Sequence, residues 1–597
     1  MCQSRSGVVR TPLALLVVAA MMPTSSTPLT AQTPAPVPTP TFSPHAGSYT
    51  SELQVSLKDS DTPFAILYYT TDGSTPSATN GIQYSGAITV AASETIKAVA
   101  ITQQSPADSS SVASATYAIH LPAEQPLPQG KWEWDTGGNA ITSYCNVPRE
   151  VGLSGVYGTL GVPAPDNVPG SRVGAIRWTG KDGDLWLFGG FGFAADQDCA
   201  ELNDLWRFHP ASHLWTWMSG SSAPTFAQAG VYGKLGIFGP GNTPGSREQA
   251  VTWTDAAGKL WLFGGFGYDS SDTAGEFNDL WEFDPSLRQW AWMGGSSVES
   301  VPGVYGTRGI PNTSNVPGSR YGAISWFDGS GDFWLFGGSG YDRTGTFGSL
   351  NDLWQYSPSS RTWTWVTGSR QVNALGIYGK LQQTSAAATP GARAQAVSWV
   401  DNNGDLWLFG GDGNGSKGSG FLNDLWLFHP STRQWTWMDG SRDIGTNFSP
   451  YAPGLSGVYG TLRTPTPGAI PGSREQATAW TDQAGNLWLF AGFGYDSLGS
   501  ANILNDLWEF QPSTLLWTWM GGSNTVGQQG VPGVYGQLRV PSATNVPGSR
   551  RLGVSWTGRG GNLWLFGGEG RDSSGVLGDL NDLFRYKLPP ADKEPNR

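Results

Sequence analysis

The sequence predicts an all-β protein, in which a six-bladed β-propeller follows a small Ig-like β-sandwich. The composition supports the all-β class, because the chain holds 83 glycines and 41 prolines, residues that form turns between short strands. The propeller is predicted by a pattern of residues that recurs six times after residue 131. Units that recur at a nearly constant spacing bury a common core only by stacking on one another. The chain therefore divides into a tryptophan-free front part and a repetitive main part.

Each repeat begins with the phrase P-G-S-R or P-G-A-R. It continues with a tryptophan, then L-W-L-F-G-G or a close variant, then N-D-L-W, and finally W-x-W. Four short apolar segments separated by turns predict a four-stranded antiparallel blade. The tryptophans recur at the same positions, so we interpret them as packing residues between blades. The arginines that open the repeats are Arg172, Arg247, Arg320, Arg393, Arg474 and Arg550.

The sixth repeat lacks the W-x-W segment, and an isolated copy of this segment stands before the first repeat, at Trp132 and Trp134. We therefore expect residues 131–135 to complete the sixth blade and close the ring. Closure removes exposed sheet edges, which otherwise pair with other chains. The predicted propeller spans residues 131–589, and residues 590–597 form a tail.

The chain before the repeats divides into four segments. Residues 1–31 have a basic start, a short apolar run and small residues at the end, which is the pattern of an export signal. A Pro-rich spacer at 32–40, a sandwich at 41–120 and a linker at 121–130 follow. We expect a secreted, periplasmic or cell-surface protein with no membrane span, because no later segment holds 18 consecutive apolar residues.

The front domain carries a specific turn motif. The run YYTTDGSTPSATNG, which begins at Tyr68, is followed by YSGAITV, SETIKAVA and SSVASATY. These residues resemble the small β-sandwich at the ends of chitobiases, β-hexosaminidases and some other glycosidases. The resemblance implies an accessory domain of carbohydrate-related exported proteins and implies no catalysis.

The repeats resemble kelch propellers, including the central domain of galactose oxidase. The residues that carry the resemblance are the double glycine, such as Gly189-Gly190, the N-D-L-W strand and the later tryptophan. The resemblance implies the fold and leaves the function open, because this fold hosts oxidases, epimerases, adaptors and binding proteins.

Loop lengths predict which face of the propeller is functional. The loops between the first and second strands and between the third and fourth strands are short, and they alternate with long loops. In a meander, all the long loops then lie on one face. Ligand recognition concentrates on loops that a rigid scaffold holds, so we expect the ligand on this long-loop face.

Composition excludes several functions. The net charge of −12 disfavours nucleic acid as a partner. The five histidines show no metal-ligand spacing, and the two-histidine, two-tyrosine copper set of galactose oxidase has no counterpart, so we expect no metal and no cofactor. The sequence therefore predicts an exported, monomeric, non-catalytic protein that binds a glycan or an extracellular protein. A carbohydrate-active enzyme and a purely structural surface protein are the alternatives.

Candidate ligand-binding residues lie at the start of each blade. The six repeated arginines form a ring that suits an anionic ligand. Alternatively, they pair structurally with six repeated aspartates and bind nothing. In blades two and five the next residue is a glutamate, Glu248 or Glu475, and opposite blades place this carboxylate pair across the channel. The aspartates are Asp204, Asp279, Asp352, Asp424, Asp506 and Asp582.

Two cysteines occur in two different loops of blade one, and no other repeat has a cysteine at either position. Cys145 lies in the loop that enters blade one, and Cys199 lies between its second and third strands. Both loops are on the long-loop face, and export permits oxidation, so the sequence predicts a disulfide between them. Two free thiols are the alternative.

Overall fold

The computed structural model describes residues 37–50, 53–58, 65–90, 93–102, 108–120, 130–145, 150–223, 227–445, 452–558 and 560–588. These residues form strands and turns and contain no helix. No helix long and apolar enough to cross a membrane therefore occurs in this part of the chain. The predicted export signal and tail lie outside the described residues, as do most of the predicted spacer and linker.

The front domain is a β-sandwich of two sheets. Apolar side chains from both sheets form one core, in which Val55 and Val90 of the first sheet meet Ile96 and Tyr117 of the second. The alternation of buried and exposed residues along the strands produces this inward-facing set. The first sheet contains Thr41–Ser43, Leu53–Lys58 and Ile88–Val90, and the second contains Gly47–Tyr49, Ala113–Ile119, Glu94–Thr102, Ala65–Thr70 and Ile82–Gln83.

The main domain is a six-bladed β-propeller, which confirms the predicted fold class. Each blade is an antiparallel sheet of four strands, and the six innermost strands contact each other in a closed ring. The strands, from innermost to outermost, are Ile176–Thr179, Leu185–Phe188, Leu205–His209 and Leu214–Ser219 in blade one; Val251–Thr254, Leu260–Phe263, Leu280–Asp284 and Gln289–Gly294 in blade two; Ile324–Phe327, Phe333–Phe336, Leu353–Ser357 and Thr362–Thr367 in blade three; Val397–Val400, Leu406–Phe409, Leu425–His429 and Gln434–Asp439 in blade four; Thr478–Thr481, Leu487–Phe490, Leu507–Gln511 and Leu516–Gly521 in blade five; and Val554–Thr557, Asn562–Arg571, Leu577–Lys587 and Trp132–Thr136 in blade six.

The ring closes at blade six through the strand Trp132–Thr136. This strand pairs with the third strand of the blade, and Trp134 and Trp132 lie opposite Phe584 and Tyr586. The outermost strand of blade six therefore comes from the start of the propeller, and the other three strands come from its end. Sequence-distant strands in one sheet lock the first and last blades together.

Tryptophans hold neighbouring blades together. The tryptophan of each innermost strand is buried, and its Nε1–H donates to a backbone carbonyl of the next blade at 2.7 to 3.2 Å. The last of these bonds runs from Trp556 in blade six to the carbonyl of Trp186 in blade one. Each buried indole therefore has a satisfied donor as well as a large apolar contact area.

The long loop before each blade does not stay on the long-loop face, which corrects the expectation that all the additional sequence lies there. In blade one, this loop runs along the outermost strand, where the N–H of Gly161 donates to the carbonyl of Trp217 at 2.7 Å and Ala164 forms a bridge with Trp215. The physical reason is that an outermost strand has unpaired backbone groups on its free edge. The loop covers that edge.

A small sheet continues each blade toward the long-loop face. In blades one to five it has three strands, and in blade six the long second and third strands extend into it. The bounds are Arg172–Val173, Phe191–Phe193 and Cys199–Glu201; Arg247–Glu248, Phe266–Tyr268 and Ala274–Glu276; Arg320–Tyr321, Ser339–Tyr341 and Phe347–Ser349; Arg393–Ala394, Asp412–Asn414 and Ser419–Phe421; Arg474–Glu475, Phe493–Tyr495 and Ala501–Ile503; and Arg550–Arg551 in blade six, while Ser143–Tyr144 and Val151–Gly152 form a separate hairpin.

Candidate functional site

The six repeated arginines lie inside the blades. In blade three, Nη1 and Nη2 of Arg320 donate to the two carboxylate oxygens of Asp352 at 2.7 and 2.8 Å, and Nε donates to the carbonyl of Gly318. The same carboxylate accepts from the hydroxyl of Tyr305 and from Nε1 of Trp354. The corresponding pairs are Arg172–Asp204, Arg247–Asp279, Arg393–Asp424, Arg474–Asp506 and Arg550–Asp582.

This arrangement favours the structural alternative for the arginines. Arg320 is 1% exposed and Asp352 is fully buried. Burial opposes the charge of Arg320, but the adjacent carboxylate raises the pKa of this arginine. Burial and the same carboxylate raise the pKa of Tyr305 far above its ordinary value. A buried bidentate pair of this kind leaves no guanidinium group for a ligand. The expectation that the arginines contact a ligand is therefore not retained.

The residue that directly follows each repeated arginine points its side chain to the opposite side of the small sheet. These six residues differ from blade to blade, and their cross-strand neighbours share their face. We call this inward-facing surface the funnel. Its first residues are Val173, Glu248, Tyr321, Ala394, Glu475 and Arg551, and their neighbours are Phe191, Glu201, Phe266, Glu276, Ser339, Ser349, Asp412, Phe421, Phe493, Ile503, Glu569 and Asp579.

The funnel is acidic and aromatic. Among the residues just named, seven carboxylates face a single arginine, Arg551, and five side chains are aromatic. Aromatic contacts join neighbouring blades, since the rings of Phe266 and Tyr321 lie 6.3 Å apart edge to face. Arg551 is held by Glu569 at 2.6 Å and lies over the ring of Phe493. The net negative charge of the surface therefore remains largely uncompensated.

Glu248 and Glu475 occupy equivalent positions of the funnel in opposite blades. Burial raises the pKa of each to about 7, and the negative charges of Glu201 and Asp412 respectively contribute. Burial, followed by the charges of Glu276, Glu248 and Glu475, also raises the pKa of Tyr321 in blade three. The phenol therefore lies within electrostatic range of both glutamates. Carboxyls with such pKa values exchange protons near neutral pH.

Blade six contributes a buried carboxyl to the funnel. Asp579 is 2% exposed, and its Oδ2 has no hydrogen-bond partner among the described residues. Burial, followed by the charges of Glu150, Glu569 and Glu248, raises the pKa of Asp579 well above its ordinary value. A protonated carboxyl here offers both a donor and an acceptor to a polar ligand.

A closed ring of backbone hydrogen bonds forms the neck below the funnel. In each blade, the residue after the funnel residue adopts a positive φ, and its N–H donates to the carbonyl of the equivalent residue in the preceding blade at 2.7 to 3.1 Å. Side chains also span the neck, since Gln395 donates to Gln249 at 3.0 Å and Gln476 donates to Gln395. The six ring residues are Gly174, Gln249, Gly322, Gln395, Gln476 and Leu552.

The neck separates the funnel from the central channel. Cavities of about 150, 200 and 500 Å³ follow one another along the innermost strands, and the largest lies near Trp178 toward the short-turn face. Most of the lining of the largest cavity comes from the same three positions in all the blades. The channel is lined by small or hydroxyl side chains at the first of these positions in blades two to six, whereas blade one places Arg177 there, and the guanidinium group donates to the carbonyl of Ser555.

The structure shows no metal centre among the described residues, since no group of three or more His, Cys, Asp or Glu side chains there has a suitable arrangement. Two of the histidines lie at the ends of blade strands. His209 and His429 end third strands and contact Asp184 and Asp405, at 2.5 and 2.8 Å, on the short-turn side. These histidines pair with the blade scaffold and lie away from the funnel.

Cys145 and Cys199 form a disulfide in the structure, and their Cα atoms are 5.7 Å apart. Cys199 begins the third strand of the small sheet in blade one, two residues before the funnel residue Glu201. The bond therefore ties the loop that enters blade one to a strand that carries part of the funnel.

The sequence interpretation identified Glu248 and Glu475 in the funnel but missed most of its other residues. Glu201, Glu276 and Asp412 lie in the small-sheet strands of blades one, two and four, and Glu569 and Asp579 lie in the long second and third strands of blade six. What identifies these residues as part of the funnel is the register of strand pairing, which is known only once the strands of the small sheets are paired. The three neck glutamines were detectable, because each occupies the second position after a repeated arginine.

The chain combines a β-sandwich with a six-bladed β-propeller, and a family model matches the sandwich. Residues 44–114 match the chitobiase/beta-hexosaminidase C-terminal domain. The solved structure of YjhT resembles the chain with 13% sequence identity and a TM-score of 0.40, covering 72% of this chain and 95% of that chain.

Proposed function

We propose that the protein is an exported, non-catalytic glycan-binding protein, in which a kelch-type propeller presents the funnel to the ligand. The observation that carries this proposal is the convergence of carboxylates and aromatic side chains around Glu248, Tyr321 and Glu475. Sugar hydroxyls donate hydrogen bonds to carboxylates, and sugar C–H groups pack on aromatic faces. The neck below the funnel limits how deeply a chain end enters.

The charge of the funnel restricts the class of sugar that binds there. Seven carboxylates and one arginine repel sulfated and carboxylated sugars. Neutral sugars and amino sugars fit this surface, because a protonated carboxyl such as Asp579 both donates and accepts hydrogen bonds. An amino sugar adds a charge-assisted hydrogen bond to a carboxylate such as Glu201. The glycosidase-associated front domain at residues 44–114 supports a carbohydrate context. The leader at residues 1–31 and the Cys145–Cys199 bond support export.

A glycan array of neutral, amino and acidic sugars, read with the full mature chain, tests the proposal. We expect binding to neutral or amino sugars that falls at least tenfold in Tyr321→Ala and in Glu248→Gln. Asp196→Asn is the matched control, because Asp196 is an exposed carboxylate in a blade-one loop outside the funnel. Equal binding by all variants, or recovery of a protein partner without any glycan signal, would overturn the proposal.

A carbohydrate-active enzyme is a second candidate, which one observation favours. Burial raises the pKa of Glu248 and of Glu475 to about 7, and such carboxyls suit general acid–base work near neutral pH. The test is incubation with a panel of glycosides, polysaccharides and sugar alcohols. Turnover that Glu248→Gln and Glu475→Gln both abolish would establish catalysis and replace the non-catalytic proposal.

A further inference from the structure

Blade three carries an arginine at three positions of the repeat, and at two of them no other blade has an arginine. The leucine after G-V-Y-G-x becomes Arg308, a small residue in the loop between the second and third strands becomes Arg343, and a residue after the outermost strand becomes Arg370. The equivalents of Arg308 are Leu160, Leu235, Leu381, Leu462 and Leu538; those of Arg343 are Ala195, Ser270, Ser416, Ser497 and Ser573; and those of Arg370 are Ser222, Ser297, Arg442, Asn524 and Asn139.

The equivalence of the last two positions is structural. The N–H of Arg343 donates to the carbonyl of Arg370 at 3.2 Å, and the same backbone hydrogen bond joins the equivalent residues in every other blade. The backbone is therefore shared, and only the side chains differ. Three arginines far apart in sequence meet in one blade and in no other.

Two of the three arginines pack on Trp365, the second tryptophan of W-x-W in blade three, and the third lines a cavity beside it. The guanidinium carbon of Arg370 lies 4.6 Å from the ring centroid, and that of Arg308 lies 5.9 Å from it. Nε of Arg308 also donates to the carbonyl of Val366 at 3.0 Å, which fixes its position. A cavity of about 290 Å³ opens beside the indole, lined by Arg343, Thr344, Trp365, Ser369, Arg370 and Gln371, together with Gly368.

The indole N–H of Trp365 has an unusual environment. In the other five blades, the equivalent tryptophan donates from Nε1 to the carbonyl two residues later, at 2.6 to 3.0 Å. Trp365 makes no such bond, is only 5% exposed, and its Nε1 has no partner among the described residues. An unpartnered buried donor is costly, so this indole marks a local departure of blade three from the other blades.

The charge in this cavity is not compensated by nearby acids. Arg343 and Arg370 form no ion pair with any described residue, whereas the blade-four equivalent Arg442 lies 3.8 Å from Asp443. The nearest carboxylate in the loop, Asp342, is buried and accepts backbone N–H groups from Thr344 and two other residues. Two guanidinium groups therefore face the cavity region with their charge available.

We propose that this cavity in blade three binds a compact oxyanion, the carboxylate or sulfate group of an acidic sugar. Planar guanidinium groups bind such oxyanions through paired hydrogen bonds. The indole of Trp365 forms one wall of the cavity, and the hydroxyl of Ser369 supplies a further donor. This site is independent of the funnel, which disfavours acidic sugars, so the two sites select different groups.

Isothermal titration of the full mature chain with sodium glucuronate, sodium sulfate and glucose tests the site. We expect glucuronate to bind, glucose at the same concentration not to bind, and sulfate to compete with glucuronate. Binding by sulfate alone would show that a free inorganic oxyanion is the ligand and would overturn the assignment to a sugar. Binding of neither anion would overturn the site itself.

The variant Arg343→Ser with Arg370→Ser gives blade three the side chains that blade two carries at these positions, so the fold has a natural precedent. We expect at least a tenfold loss of glucuronate affinity and an unchanged melting temperature. Arg308→Leu, which restores the leucine of the other blades, should weaken binding less because Arg308 contacts Trp365 from outside the cavity lining. Arg442→Ser in blade four is the matched control. Equal loss in this control, or full affinity in the double variant, would contradict the proposal.

Discussion

The interior of the blades and the funnel differ by a single residue step along the same short strand. On the side of the strand that faces the interior of the blade, Arg320 and its five equivalents make the same contacts in every blade. One residue later, the funnel side chain changes from valine to glutamate, tyrosine, alanine, glutamate and arginine around the ring. Six identical environments fulfil a requirement that every blade shares, whereas a ligand without sixfold symmetry is recognised by different side chains.

The same contrast separates blade three from its neighbours at Trp365. Five tryptophans satisfy their N–H groups within their own strand, and the sixth does not. In a repeat protein, each blade serves as an internal reference for the others. Departures that cluster in space therefore indicate function more strongly than a conserved-looking residue does.

Deleting residues 131–135 is the largest perturbation of the repeated framework. The deletion removes the outermost strand of blade six, including Trp132 and Trp134, and exposes the edge of the third strand. We expect aggregation or loss of the cooperative melting transition, because an open sheet edge pairs with other chains. Thermal melting with light scattering measures both. Deleting the spacer at residues 32–40 is the control, and unchanged stability of the first variant would contradict ring closure.

Arg320→Ala tests the repeated side of the comparison at a single residue. The substitution leaves Asp352 buried without its cationic partner, which costs about 3–5 kcal/mol. We expect a clear fall in melting temperature that Asp352→Asn partly reverses in the double variant. Arg343→Ala, in an exposed loop of the same blade, should leave the melting temperature unchanged. Equal effects of Arg320→Ala and Arg343→Ala would show that the buried pair does not stabilise the blade.

The fold was predictable from the sequence because the residues that stabilise it recur in each blade. Each tryptophan and each Arg–Asp pair appears at the same place in several blades, so the pattern reveals packing without any knowledge of contacts. The funnel was predictable at the six positions that directly follow the repeated arginines, Glu248 and Glu475 among them. Asp579 and Glu201 were not predictable, because their place depends on the register in which the strands pair.

The cavity at Trp365 illustrates a different limit. Arg308 and Arg343 are visible in the sequence as departures from the repeat, but the sequence positions of these two residues and of Arg370 do not show that all three lie close to Trp365. Their meeting depends on how the long loop folds along the outermost strand, and this course differed from the expected one. Loop geometry of this kind follows from covering an open edge, which becomes clear only once the sheet is built.

The Cys145–Cys199 bond is an unrepeated feature that we expect to contribute stability. In protein that lacks residues 1–31, thiol titration of the unreduced, denatured chain should detect no free thiol. Cys145→Ser with Cys199→Ser should lower stability by about 2–4 kcal/mol, because the bond closes a loop with a sequence separation of 54 residues. Reductant should lower the melting temperature of the wild type and leave the double variant unchanged. Two titratable thiols in the wild type would contradict the bond.

The smallest expected effect concerns the carboxyls of the funnel. Burial raises the pKa of Glu248 and of Glu475 from an ordinary value of 4.5 to about 7. Between these values, the folded state binds more protons than the unfolded state, so the stability that the neutral carboxyls contribute is lost as the pH rises from about 4.5 through 7. We therefore expect the free energy of unfolding to fall over this pH window.

Glu248→Gln with Glu475→Gln isolates this contribution, because glutamine resembles the protonated carboxyl. The double variant should match the wild type at pH 4.5 and exceed its melting temperature by a few degrees at pH 8, with a flatter pH profile between. The carboxyl of Asp579, whose pKa is also raised, keeps part of the slope in the variant. Asp196→Asn, which removes an exposed carboxylate, should retain the wild-type slope. If the double variant kept the full wild-type dependence of stability on pH, these two glutamates would be ionised and solvated in the folded protein. Burial in the funnel would then not perturb their titration.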